Sequence, residues 1–154
     1  MSFKFGPNQK KWLRLLESGK YRRTTGRLCR VSKNGNKSYC CLGLAAEKVI
    51  SLESEIVSSK TFGEKDYLNF HDNNPTDVFG DAAGLPGISF KELGLNSRIG
   101  TFMKDGDYYS YYKGEMIQTL VNPSLARLND IGYTFKQIAR IIRKFPKYVF
   151  NKSV

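Results

Sequence analysis

The stretch from Ser124 to Pro146 restricts the fold of this chain more than any other. Thr134 and Gln137 have the spacing of a capping box, in which a hydroxyl and an amide each satisfy a main-chain N–H that the first helical turn leaves free. Tyr133 and Ile138 are placed as the accompanying hydrophobic staple. Ile138, Ala139, Ile141 and Ile142 then form one apolar face up to Phe145, and Pro146 stops the helix because it has no N–H to extend the ladder. A shorter helix precedes it, capped by Ser124, running through Ile131 and ended by Gly132. Such amphipathic helices must bury their apolar side against the rest of the chain.

The other elements offer that partner. Pro7 suits the first turn of a helix, Trp12, Leu15 and Leu16 share one of its faces, Gly19 ends it, and Lys10, Lys11 and Arg14 point to solvent. Arg27 to Val31 has strand character, Asn34-Gly35 is a hairpin turn, and Lys37 to Cys40 is the returning strand. A helix follows, lined on one side by Leu42, Ala45, Ala46 and Val49. Residues 51–83 are weakly patterned, with a turn at Asn73-Asn74-Pro75. Long loops are expected there, anchored by Phe62, Tyr67, Phe70 and Phe79. Leu85-Pro86-Gly87 opens a short helical piece, Ser89 to Leu93, closed by Gly94. Thr101–Met103 and Asp107–Tyr112 pair across Lys104-Asp105-Gly106. The expected architecture is α+β: terminal helices packed on a small antiparallel sheet with long irregular central loops, in one domain over residues 1–154.

Charge narrows the function. The chain carries 25 Lys+Arg against 14 Asp+Glu, a net +11. Residues 1–40 hold 11 basic and 1 acidic side chain, residues 41–110 hold 6 and 11, and residues 111–154 hold 8 and 2, so basic ends flank an acidic middle. That asymmetry favours a polyanionic partner: nucleic acid, a nucleotide or an acidic protein surface. No apolar run approaches the ~18 residues of a membrane span, and Met1 to Pro7 lacks the apolar stretch of a signal peptide. A cytoplasmic protein without a membrane partner is expected. Cys29, Cys40 and Cys41 are too few and too crowded for a disulfide framework or a zinc site, so reduced thiols are expected, with no metal and no cofactor. There is no phosphate-loop or dinucleotide fingerprint.

Five constellations can carry chemistry. Lys20, Arg22, Arg23, Arg27 and Arg30 surround Tyr21, so forks for phosphate lie beside a ring that can stack on a base. Arg140, Arg143 and Lys144 on the last helix extend this surface. The same region resembles the front of a helix-turn-helix, with Pro146–Phe150 as the start of a recognition helix, although an ordinary helical hairpin that closes the core is the simpler reading. In Tyr108-Tyr109-Ser110-Tyr111-Tyr112, Tyr109 and Tyr111 share one strand face and Tyr108, Ser110 and Tyr112 the other; one set can join the core and the other can stack on bases, against the plainer reading of packing in the core or at a protein interface. Cys41 at a helix start, with His71 as base and Asp72 or Asn73 to orient it, would be a cysteine hydrolase, against the plainer reading of a buried, inert thiol. Asp66, Asp72, Asp77 and Asp81 lack calcium-loop spacing and read as a solvated acidic loop.

Trp12-x-x-Leu15 with Ser18-Gly19-Lys20-Tyr21, Tyr39-Cys40-Cys41-Leu42-Gly43-Leu44, Leu85-Pro86, and Leu128-Asn129-Asp130-x-Gly132-x-Thr134-Phe135-x-x-Ile138-Ala139 together resemble a family of small tailed-bacteriophage proteins. The resemblance covers roughly residues 9–50 and 84–142. It implies phage origin and location in the host cytoplasm, and supplies no reaction and no catalytic residues. Members of that family are often neutral or acidic near the C-terminus, where this chain has Arg140, Arg143, Lys144 and Lys147. The expected function is a non-enzymatic phage accessory protein that binds a phosphate-bearing ligand, most simply nucleic acid. The alternatives are a counter-defence protein that sequesters a nucleotide signal or blocks a host protein, as an oligomer, and the Cys41 hydrolase.

Overall fold

A computed structural model describes residues 2–60, 63–72, 80–121 and 123–154. The anchors Phe62 and Phe79, the Asn73-Asn74-Pro75 turn, and Asp77 lie outside the described residues. The chain runs α1 (Pro7–Glu17), β1 (Cys29–Val31), β2 (Lys37–Tyr39) and α2 (Cys41–Leu44), which continues as a π-turn over Ala45–Val49. Then come β3 (Glu53–Val57), β4 (Asp66–His71), a 3-10 turn Ser89–Leu93, β5 (Met103–Lys104), β6 (Asp107–Tyr112), β7 (Glu115–Thr119), α3 (Leu125–Asp130), α4 (Phe135–Lys144) and α5 (Pro146–Val149). The α+β class holds, with two antiparallel sheets in place of one: β2-β1-β4-β3 and β5-β6-β7.

The central region holds more regular structure than its pattern predicts. β3 and β4 form a hairpin with Ser54 opposite Phe70 and Ile56 opposite Leu68. β3 lies at the sheet edge with nearly every side chain exposed, so it shows no apolar alternation. β4 buries Leu68 and Phe70 on the face shared with Cys29 and Val31 of β1.

The terminal helices supply the other side of the core. α1 buries Gln9, Trp12, Leu13 and Leu16, the i, i+3, i+4, i+7 stripe, so Leu13 takes the place expected for Leu15. The polar Gln9 disguises that stripe. Its amide is fully used: Oε1 accepts from Gly6 N (3.0 Å), and Nε2 donates to the carbonyls of Leu93 (2.9 Å) and Lys152 (2.8 Å). The oxygen of Val154 accepts from Gln9 N, so the last residues cover the start of the first helix. The Thr134–Gln137 capping box forms, and α4 buries Phe135, Ile138, Ala139, Ile141 and Ile142. α5 is a single turn; Val149 and Phe150 are buried, and Phe150 bridges to Leu95. It closes the core and is no recognition helix.

Two turns place the second sheet. Asp105 (φ 52°) and Gly106 (φ 83°) join β5 to β6, and Lys113 (φ 47°) and Gly114 (φ 86°) join β6 to β7. Positive φ at both central positions matches the twist of a two-residue hairpin. Tyr109 and Tyr111 share one face of β6, as expected: Tyr109 packs edge-on against Tyr148 (4.7 Å), and Tyr111 against Tyr133 (6.1 Å) and Phe145 (6.3 Å). Tyr112 is 56% exposed.

Candidate functional site

The two most distinctive motifs meet in the interior. Asn129 is fully buried; its Oδ1 accepts from Cys41 N (3.2 Å) and its Nδ2 donates to Thr24 O (2.8 Å). Cys40 Sγ accepts from Gly43 N (3.3 Å), so this thiol caps α2. Trp12 Nε1 donates to Cys41 O (2.8 Å). Gly43 is required by contact alone, since a Cβ there would lie 1.7 Å from Leu28 O. The Tyr-Cys-Cys-Leu-Gly and Leu-Asn-Asp pieces are thus the joint of the fold.

This joint leaves no activated thiol. Cys41 is 0% exposed, and burial raises its pKa well above the usual thiol value. Burial pushes Cys40 and Cys29 up to about 12. The shift opposes the one a nucleophile needs. His71 pairs its Nε2 with Glu55 Oε1 at 3.1 Å on β3. The carboxylates of the acidic middle serve the backbone: Asp66 accepts from Ser59 N, Asp72 from Ile88 N, and Asp81 from Ala83 N and Gly84 N while pairing with Arg98. Among the described residues, no group of three or more His, Cys, Asp or Glu side chains could hold a metal ion. Among them, too, no helix is long and apolar enough to cross a membrane.

The N-terminal basic loop is stitched to the body. Thr24 N donates to Tyr39 O (2.7 Å) and Tyr39 N to Arg22 O (2.8 Å), which ties residues 22–24 to β2. Arg23 Nη1 donates to Asn129 O (2.7 Å), Arg27 lies 4.0 Å from the centre of the Tyr67 ring, and Arg30 is bound to Glu64 (2.7 Å) and Thr25 O. Tyr21 stands edge-on to Tyr39 at 5.8 Å. Lys20 and Arg22 are exposed. Tyr39 OH and Lys37 Nζ both bind Glu47 on the π-turn. Most of the loop's cations are therefore engaged within the molecule.

The outer face of α4 differs. Three adjoining depressions run along it. The first, about 460 Å³, lies between the β6–β7 turn and α4, and is lined by Tyr111, Tyr112, Lys113, Tyr133, Gln137, Arg140 and Lys144, among others. The second, about 320 Å³, shares Lys144 and adds Phe3, Phe5, Lys104, Arg143, Lys147 and Tyr148. The third, about 310 Å³, is framed by Glu17, Lys136, Arg140 and Arg143. Seven cationic side chains line the three, against the single carboxylate of Glu17. Glu17 binds Arg143 through two contacts (2.8 and 2.7 Å), and that hydrogen bonding holds its pKa below the usual carboxylate range. Lys144 Nζ donates to Gly114 O (3.2 Å) and spans the first cleft. Among the described residues, Arg140 makes no ion pair and no side-chain hydrogen bond.

Of the sequence candidates, the structure brings Arg140, Arg143 and Lys144 to one face. Lys20 adjoins it through its neighbour Gly19, where an added Cβ would lie 3.9 Å from Lys136 Nζ, while Arg23, Arg27 and Arg30 serve contacts elsewhere. Tyr112 belongs to the tyrosine run singled out in the sequence, whereas Lys113, Tyr133 and Lys136 escaped sequence reasoning as site residues. The Lys113-Gly114 pair was the signal that could have found the turn.

These features define a small basic α+β protein with buried thiols and a tyrosine-lined, cation-rich helix face. A family model matches residues 8–145, and the chain belongs to that family, described as a domain of unknown function (DUF8296). No curated protein and no solved structure matches it.

Proposed function

We propose that this chain is a non-enzymatic accessory protein, of tailed-phage origin by its motif resemblance and acting in the host cytoplasm, that binds nucleic acid through the outer face of α4. The observation that carries the reading is the excess of seven cations over one carboxylate along three adjoining depressions that also expose aromatic rings. Phosphate neutralisation by Lys and Arg supplies most of the affinity of non-specific nucleic-acid binding, through counterion release. Sequestration of a nucleotide signal would instead need a closed chamber, whereas these depressions open along the helix. The test is fluorescence anisotropy of labelled oligonucleotides across a salt series. Affinity should fall steeply with salt, and Arg140→Gln or Lys136→Gln should each reduce the log–log slope by about 1. Salt-independent binding, or slopes unchanged in both variants, defeats the proposal.

A further inference from the structure

The first cleft is built differently from the rest of the face. Its floor is fixed: Tyr111 is wedged edge-on between Tyr133 and Phe145, with interplanar angles of 82° and 63°. Its rim is polar and cationic, from Lys113, Arg140 and Lys144. Tyr112 stands at the turn, 56% exposed, with Lys113 Nζ 5.3 Å from its ring centre. Gln137 commits its amide oxygen to Thr134 N (2.9 Å), which leaves its amide nitrogen as a donor in the cleft. A volume of about 460 Å³ falls within the ~300–1,000 Å³ of small-molecule sites, room enough for one base.

From this we infer that the cleft receives one unpaired base, stacked on Tyr112, with its flanking phosphates held by Arg140 and Lys144, so that the protein prefers single strands to duplex. The inference rests on the proposed nucleic-acid binding and specifies its mode. Base–aromatic stacking needs an exposed π-face, which a paired base within a duplex does not offer, and stacking tolerates any sequence. The second depression shares Lys144 with the cleft, the third shares Arg140 with it, and Arg143 lines both neighbours, which gives the strand a continuous track on either side. The occupant is therefore a strand and not a free nucleotide.

The experiment compares three labelled probes of equal length at one salt concentration: an oligo(dT) strand, the same strand with abasic sites throughout, and a duplex, with free thymidine monophosphate as competitor. The intact strand should bind about tenfold or more tighter than the abasic strand, in line with the loss of stacked bases. Tyr112→Ala should erase that difference, Tyr112→Phe should keep it, and circular dichroism should show both variants folded. Equal binding of intact and abasic strands, equal or tighter binding of duplex, or a difference that survives Tyr112→Ala overturns the cleft assignment and leaves binding by the cationic face standing. A mononucleotide that matches the strand's affinity overturns the strand. Failure of all three probes to bind overturns both readings.

Discussion

Replacing Asn129 tests whether the two sequence motifs form the structural joint. Asn129→Ala removes the acceptor of the buried Cys41 N and the donor to the half-buried Thr24 O. Each buried polar group left unmet costs about 1–3 kcal/mol, so a loss of about 3–4 kcal/mol is expected. In a domain of this size each kcal/mol lowers Tm by about 2–4 °C, which gives a drop of about 10 °C. Asn129→Asp keeps the acceptor for Cys41 N but turns an anion toward the Thr24 carbonyl, and should fare no better. Asn129→Leu fills the volume and leaves the same two groups unmet, so it separates lost hydrogen bonds from a cavity. Thermal and urea denaturation give the numbers. A Tm within about 2 °C of the parent for both Ala and Leu variants, which corresponds to less than ~1 kcal/mol, refutes the reasoning.

Gly43→Ala should cost more than about 4 kcal/mol or abolish folding, because the new methyl would meet Leu28 O; Gly35→Ala, with open space but φ of 82°, should cost about 1 kcal/mol, and paired melting curves check the contrast. All three thiols should resist an aromatic disulfide reagent at pH 8 in the native protein and react together in denaturant, since burial keeps them protonated. Burial raises the Glu47 pKa, but Lys37 and Tyr39 outweigh it and hold the value below the usual carboxylate range. Its stabilisation is therefore complete above about pH 4.5 and is lost as pH falls through the lower native value. Glu47→Gln should flatten the acid limb of a stability–pH curve and lower the neutral plateau.

Local chemistry was legible where it acts over a few residues. The Thr134–Gln137 box, the Ser124 cap, the Asn34-Gly35 and Asp105-Gly106 hairpins and the Tyr109/Tyr111 face all follow from nearest neighbours. β3 was illegible because Glu53-Ser54-Glu55-Ile56 lies on an edge and buries almost nothing. Leu13 was missed because its stripe begins with a buried glutamine. The basic loop looked available because the groups that engage Arg23, Arg27 and Arg30 — Asn129 O, Tyr67 and Glu64 — lie far away in sequence. The first cleft joins residues 111–114 to residues 133–144 across a fold that neither segment announces.

The clasp between the first helix and the final residues governs the order of assembly. Gln9 is held by Leu93 and Lys152, and Trp12 and Phe3 pack on Phe150. During synthesis at ~5–20 residues per second, α1 emerges early and waits several seconds for those partners. Its tryptophan and leucines stay uncovered through that interval, so a nascent chain stalled before residue 140 should recruit chaperones and be cut readily within its first helix.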